Sequence, residues 1–185
     1  MKKACMIGLL VLAAAVPAFA ADEITFTWTV DTTHAGFDVY SLFATSTAAA
    51  LPAGVDLRIT GNLNQYNAMT FNTPDLSYMP FLTAEQQATD THFNFLASDG
   101  FVGRTLTETA TTLDGAISFT VPFANPWNFA QVVVPTGETF WIVGDLSIQD
   151  GGGSLTHVNM EVPEPTTIAL LGLGAVGLLK RRRNA

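Results

Sequence analysis

The side chains that could do chemistry are few and scattered. The 185-residue chain holds three histidines (His34, His92 and His157), one cysteine (Cys5) and sixteen carboxylates. The histidines lie far apart and share no metal-ligand spacing. His157 falls on the polar side of an alternating segment and reads as solvent-facing. His34 lies in 31–36, between two such segments, and reads as a turn residue. No nucleophile elbow, phosphate loop, zinc motif or dinucleotide fingerprint occurs. With so many acids, any chosen carboxylate pair is weak support for a glycoside hydrolase; an acidic, solvated surface is their default. Segment 21–162 contains no lysine, which excludes a lysine-dependent active site there.

Two weaker patterns point to ligands. Carboxylates recur in loop-like stretches: Asp31 and Asp38, Asp90 and Asp99, and Asp145 and Asp150, the last just before Gly151-Gly152-Gly153. Calcium takes about six to eight oxygens, often from such loops. Asp145 and Asp150 are therefore the candidate metal ligands, although a regular D-x-D spacing is absent, and no other cofactor is expected. The second pattern is Asn125-Pro126-Trp127-Asn128-Phe129. An exposed Trp127 between amides could stack on a sugar ring, as in a carbohydrate-binding module. A tryptophan that plugs the core after a turn is the preferred reading.

The C-terminus carries the most specific pattern. Val162-Pro163-Glu164-Pro165 is followed by the uncharged stretch 166–179 and then by Lys180-Arg181-Arg182-Arg183. X-Pro steps keep a short recognition segment extended. The basic cluster stops transfer and stays cytoplasmic by the positive-inside rule. Fourteen residues in a helix reach ~21 Å, short of a ~30 Å hydrocarbon core, and Gly172, Gly174 and Gly177 weaken that helix further. A transient anchor is the expectation.

This three-part tail resembles the PEP-CTERM sorting signal of Gram-negative bacteria over residues 162–185. The motif residues are Val162, Pro163, Glu164 and Pro165. The resemblance implies recognition and processing by an exosortase, a membrane transpeptidase-like enzyme, followed by delivery to the cell surface or extracellular matrix, with extracellular polysaccharide as a further partner. It implies nothing about the central domain, because sorting tails are grafted onto unrelated domains.

The other end reads as a signal peptide. Lys2 and Lys3 precede the apolar run Ala4 to Val16, and Ala18-Phe19-Ala20 offers signal peptidase a small-x-small site, with cleavage expected after Ala20. Cys5 falls within the apolar run, so the exported chain is expected to hold no cysteine and no disulfide.

The elements between these ends are strands. Segment 24–30 alternates apolar residues with threonine; 55–60, 117–121 and 156–162 alternate likewise, the mark of half-buried antiparallel strands. Further candidates are 37–43, 66–71, 92–96, 129–134, 139–143 and 145–149. Turn signals occur at 52–54, 72–74, 99–100, 114–115, 125–126 and 135–137. Only 83–89 reads as a short helix. Segment 21–162 holds 22 threonines, fitting strands that need β-branched residues with a polar face. The fold expected is all-β: an antiparallel, jelly-roll-like β-sandwich, flanked by an N-terminal signal peptide and a short C-terminal transmembrane sorting helix.

Charge sharpens the functional reading. Segment 21–162 sets fifteen acids against Arg58 and Arg104, whereas Lys2, Lys3, Lys180, Arg181, Arg182 and Arg183 lie at the ends. A domain this acidic does not bind nucleic acid, which requires a basic face. The organisation expected is a signal peptide at 1–20, a sandwich at 21–161 and a sorting signal at 162–185. The function expected is that of an exported, non-catalytic surface or matrix protein, with a carbohydrate-binding module and a secreted glycoside hydrolase as the alternatives.

Overall fold

Strands form where apolar residues alternate with threonine and other polar residues. The computed structural model describes residues 24–46, 52–66, 75–95, 101–119, 125–148 and 155–165. Among these residues nine strands run β1 (Ile24–Asp31), β2 (Phe37–Ser46), β3 (Pro52–Gly61), β4 (His92–Phe93), β5 (Phe101–Thr109), β6 (Thr112–Phe119), β7 (Trp127–Pro135), β8 (Phe140–Ile148) and β9 (Leu155–Val162). They build two sheets, ordered β1-β2-β7-β4 and β5-β6-β3-β8-β9, with every strand pair antiparallel. The antiparallel sandwich is as expected. Its order is richer in hairpins than a jelly roll, because β1–β2, β5–β6 and β8–β9 each pair directly with their neighbour in the chain.

One apolar layer lies between the sheets. Trp28, Tyr40, Leu42, Phe129, Val132 and Val134 from the four-stranded sheet meet Leu57, Ile59, Leu113, Ile117, Phe140, Ile142 and Val158 from the other. In β7 a bulge opposite Leu42 and Phe43 leaves Phe129 without a partner in the β2 register. That extra residue turns both Phe129 and Ala130 into the core. Val133 is also fully buried but lies outside this layer, on the opposite side of β7. On that outer side the end of a short helix, α1 (Ala84–Ala88), and the residues after it are hydrogen-bonded to Gln131 and to the Val133 backbone. Thr83 caps α1 and forms a reciprocal capping box with Gln86, so the expected helix at 83–89 is present with its caps.

Several local expectations give way to packing. Asp114 and Gly115 lie inside β6, paired on both sides, not in a turn; the glycine answers to packing, as a side chain there would come within 2.5 Å of the Phe93 ring. Residues 52–54 begin β3. Segments 139–143 and 145–149 are one strand, β8, running through Gly144. Of 92–96, only His92 and Phe93 pair as a strand. β5 was not anticipated: as an edge strand it carries threonines at 105, 107 and 109 and has little alternation to read. The segments 1–20, 67–71, 72–74, 99–100 and 166–185 lie outside the described residues, taking with them Ala18, Ala20, Asp150, Lys180, Arg181, Arg182 and Arg183.

Gly144 is the tightest point of the larger sheet. Its φ is +144°, and a Cβ there would lie 1.9 Å from the Asp56 carbonyl oxygen of the neighbouring strand. Gly144→Ala should therefore cost about 2–4 kcal/mol, from backbone strain and overpacking together. Urea unfolding of segment 21–165 measures this; a loss below about 0.5 kcal/mol would contradict the close approach.

Candidate functional site

The sorting motif begins where the last strand stops. Val162 is fully buried and pairs with Phe140, completing the β8–β9 ladder. Pro163 has no amide hydrogen and cannot extend that ladder. Its carbonyl instead accepts a long hydrogen bond, 3.4 Å, from the Tyr40 hydroxyl. The Tyr40 ring is buried edge-on against Phe140, with centroids 5.0 Å apart. Burial, aided by the Asp38 and Glu164 carboxylates, holds the Tyr40 phenol far above its ordinary pKa. Buried Asp38 accepts from the Gly137 amide at 3.2 Å, in the β7–β8 turn. The Glu164 carboxylate lies beside the same turn, 3.6 Å from where a Gly137 Cβ would stand. Pro163, Glu164 and Pro165 are each half-buried. The motif therefore rests on one pole of the sandwich.

The ligand candidates separate. Trp127 is 3% exposed and packs against Phe129, so it fills the core and offers no face to a sugar. Asp145 meets His157 across the β8–β9 register at 3.0 Å, and both are exposed. Its expected partner Asp150 lies outside the described residues. Among those residues, no three His, Cys, Asp or Glu side chains converge as metal ligands. His34 stays in its turn, where hydrogen bonding from the Thr33 side chain, and next from the Thr33 amide, holds the Asp31 carboxyl below its ordinary pKa.

Sequence reasoning missed a buried polar cluster. Asp90 accepts from the Tyr66 amide at 2.7 Å and from the Tyr78 hydroxyl, and its Oδ2 lies 3.3 Å from His92 Nδ1. Gln131, on the outer side of β7, donates to the carbonyls of Asp90 and Gln87 at 2.9 and 3.1 Å. Thr91 exchanges two hydrogen bonds with the Val133 backbone. An Asp–His–Tyr set could relay protons, but Asp90, His92 and Tyr78 are at most 2% exposed, so no substrate atom reaches them. The cluster fastens the 75–95 excursion onto the sheet. Its only trace in the sequence is the adjacency of Asp90, Thr91 and His92 just after a helix.

A second missed feature lies on the outer face of the larger sheet. Trp141 is 46% exposed and Val143 is 40% exposed. The register places Thr60 and Glu161 beside Trp141, and Arg58 and Asn159 beside Val143. Arg58 makes a two-point contact with Asp114, at 2.8 and 2.6 Å, and Thr139 donates to Glu161 at 2.9 Å. A mixed aromatic and hydrogen-bonding strip results.

Comparison with known families supports the reading of the pole. Residues 161–183 match the PEP-CTERM protein-sorting motif. The chain carries a PEP-CTERM sorting signal. Such a signal implies export, processing by an exosortase and transient anchoring at the membrane on the way to the cell surface. No curated protein and no solved structure matches the chain. Among the described residues no helix is long and apolar enough to cross a membrane; the apolar stretch 166–179 lies outside them. The match starts at Glu161, so its first two residues are still paired with β8, and the signal and the sandwich overlap.

One inward-facing carboxyl makes the fold sensitive to pH. Glu108 follows Leu106 on the inner side of β5, and among the described residues neither of its oxygens has a hydrogen-bond partner. Burial, and secondarily the Asp90 charge, push its pKa up to about 7. A carboxyl whose pKa is raised on folding stabilises the fold below its unfolded value and loses that contribution as pH rises through its folded value. The melting temperature of segment 21–165 should therefore fall between pH 5 and pH 8, across the raised value of about 7. Glu108→Gln should flatten that fall; an equally steep fall in this variant would assign it elsewhere.

Proposed function

We propose that this protein is an exported, non-catalytic component of the cell surface or extracellular matrix, whose sandwich is the cargo of its sorting signal. The observation that carries the reading is the position of the signal: it begins at Glu161, as the last strand closes, so the delivered unit is the folded sandwich. The disposition of polar groups supports a non-catalytic role. The Asp90–His92 pair is sealed from solvent, and the Asp145–His157 pair is exposed on a flat sheet face. The reading assigns no cofactor; its partners are signal peptidase, exosortase and the surrounding polysaccharide. Intact mass of the protein recovered from the cell surface tests it. The mature species should lack residues 1–20 and the cluster Lys180–Arg183. A dominant form that retains Arg181, Arg182 and Arg183 would remove the basis for sorting.

A second reading, compatible with the first, is carbohydrate binding. Trp141 favours it, because an exposed indole edged by fixed carboxylates, an amide and a guanidinium can stack on a pyranose ring while its neighbours meet the hydroxyls. Trp28 and Trp127 are 6% and 3% exposed, so the fluorescence change on ligand contact reports Trp141 alone. Polysaccharide extracted from the cell's own matrix should quench that emission in the wild-type chain and not in Trp141→Ala. Equal binding by Trp141→Ala in a pull-down would exclude this face.

A further inference from the structure

The sorting motif lies against the folded domain, not beyond it. An enzyme that processes a peptide needs the backbone of successive residues free to pair with its own groups. Up to Val162 that backbone is engaged with β8, and the first residue past the ladder, Pro163, has its carbonyl engaged by Tyr40. Glu164 lies against the β7–β8 turn. Tyr40 cannot follow the motif outward, because its ring is fully buried against Phe140. We propose that the sandwich masks its own sorting motif: residues 163–165 rest in a seat formed by Tyr40 and the β7–β8 turn, and the exosortase engages them only after they lift from it.

This inference rests on the sorting role proposed above and adds a control over its timing. A chain whose sandwich has not yet closed exposes the motif fully, because Tyr40 and the turn come together only in the folded state; Phe37 of β2 pairs with Pro135 at the start of that turn. A folded chain exposes it only in the fraction of time that the seat is empty. The Tyr40 contact is a long, neutral hydrogen bond and the motif residues are only half-buried, so masking slows processing and does not abolish it.

The test follows loss of the basic tail from the full-length chain in exosortase-containing cells, by pulse-chase and intact mass. Tyr40→Phe keeps the buried ring and removes the hydroxyl. Its tail should be lost roughly two- to fivefold faster than in the wild type, the equilibrium value of one neutral hydrogen bond. The Glu164 amide should exchange its hydrogen faster by a similar factor. Insertion of two glycines between Val162 and Pro163 lifts the motif without touching the core, and it should accelerate loss in the same way even where Tyr40→Phe folds poorly. Wild-type exchange at Glu164 in both variants would overturn the seat. Faster exchange with unchanged or slower tail loss would overturn the masking. A chain with Pro163→Ala, Glu164→Ala and Pro165→Ala separates the two claims: if it still loses its tail, the sorting role fails whatever Tyr40 does. If it keeps its tail while both seat variants run at the wild-type rate, only the masking fails.

Discussion

The sandwich depends on one apolar layer. A chain with a single cysteine can form no disulfide within itself, so nothing covalent ties the two sheets together. Burial has to do it, and β7 is where it concentrates. The Phe129 bulge sends two consecutive residues into the layer between the sheets, while Val133 is buried on the opposite side of the same strand. A strand covered on both sides needs something to cover it, and the helix α1 with its flanking chain supplies that cover. Bringing backbone over a sheet buries amides and carbonyls that must find partners. The Asp90 cluster provides them: its carboxylate takes the Tyr66 amide, and Gln131 takes the carbonyls at the end of the helix. The polar cluster is thus a consequence of the apolar strand beneath it.

What could be read from the sequence follows from this arrangement. Strands with one wet face alternate, so β1 and β9 were legible almost to the residue, as was the short helix at 83–89. β5 was not, since an edge strand rich in threonine has no apolar period. Gly115 and Gly144 mimic turn signals, but each is small because another strand or ring presses on it, a fact that resides in the partner and not in the local sequence. Of two tryptophans, only Trp141 shows the same limit. Trp127 sits among amides and is buried; Trp141 sits among apolar residues and is exposed. The core reading preferred for Trp127 holds, because β7 is covered on both sides, whereas the exposure of Trp141 follows from the free face of β8, which the local sequence does not show. The sorting motif was legible in full, because it is read as a linear peptide. Its seat was not, since Tyr40 lies 123 residues away in the chain.

A sorting tail has to be separable from what it delivers. Among the described residues the last fully buried side chain is Val162, and the ladder closes at Phe140 opposite it. Every described strand ends at or before Val162, so the β8–β9 ladder closes on residues that precede the prolines of the motif. Charge is divided in the same place: beyond residue 162 lie four basic residues and one acid, and the sandwich before it is strongly acidic. Loss of the tail therefore strips basic charge from the chain and leaves the acidic domain unchanged. Residues 161–165 belong to both the matched signal and the described fold. They are recognised as peptide and held as structure, and the weak contact at Tyr40 suits both demands. A tightly buried motif could not be processed from the folded state, whereas one on a free linker would leave no link between folding and sorting.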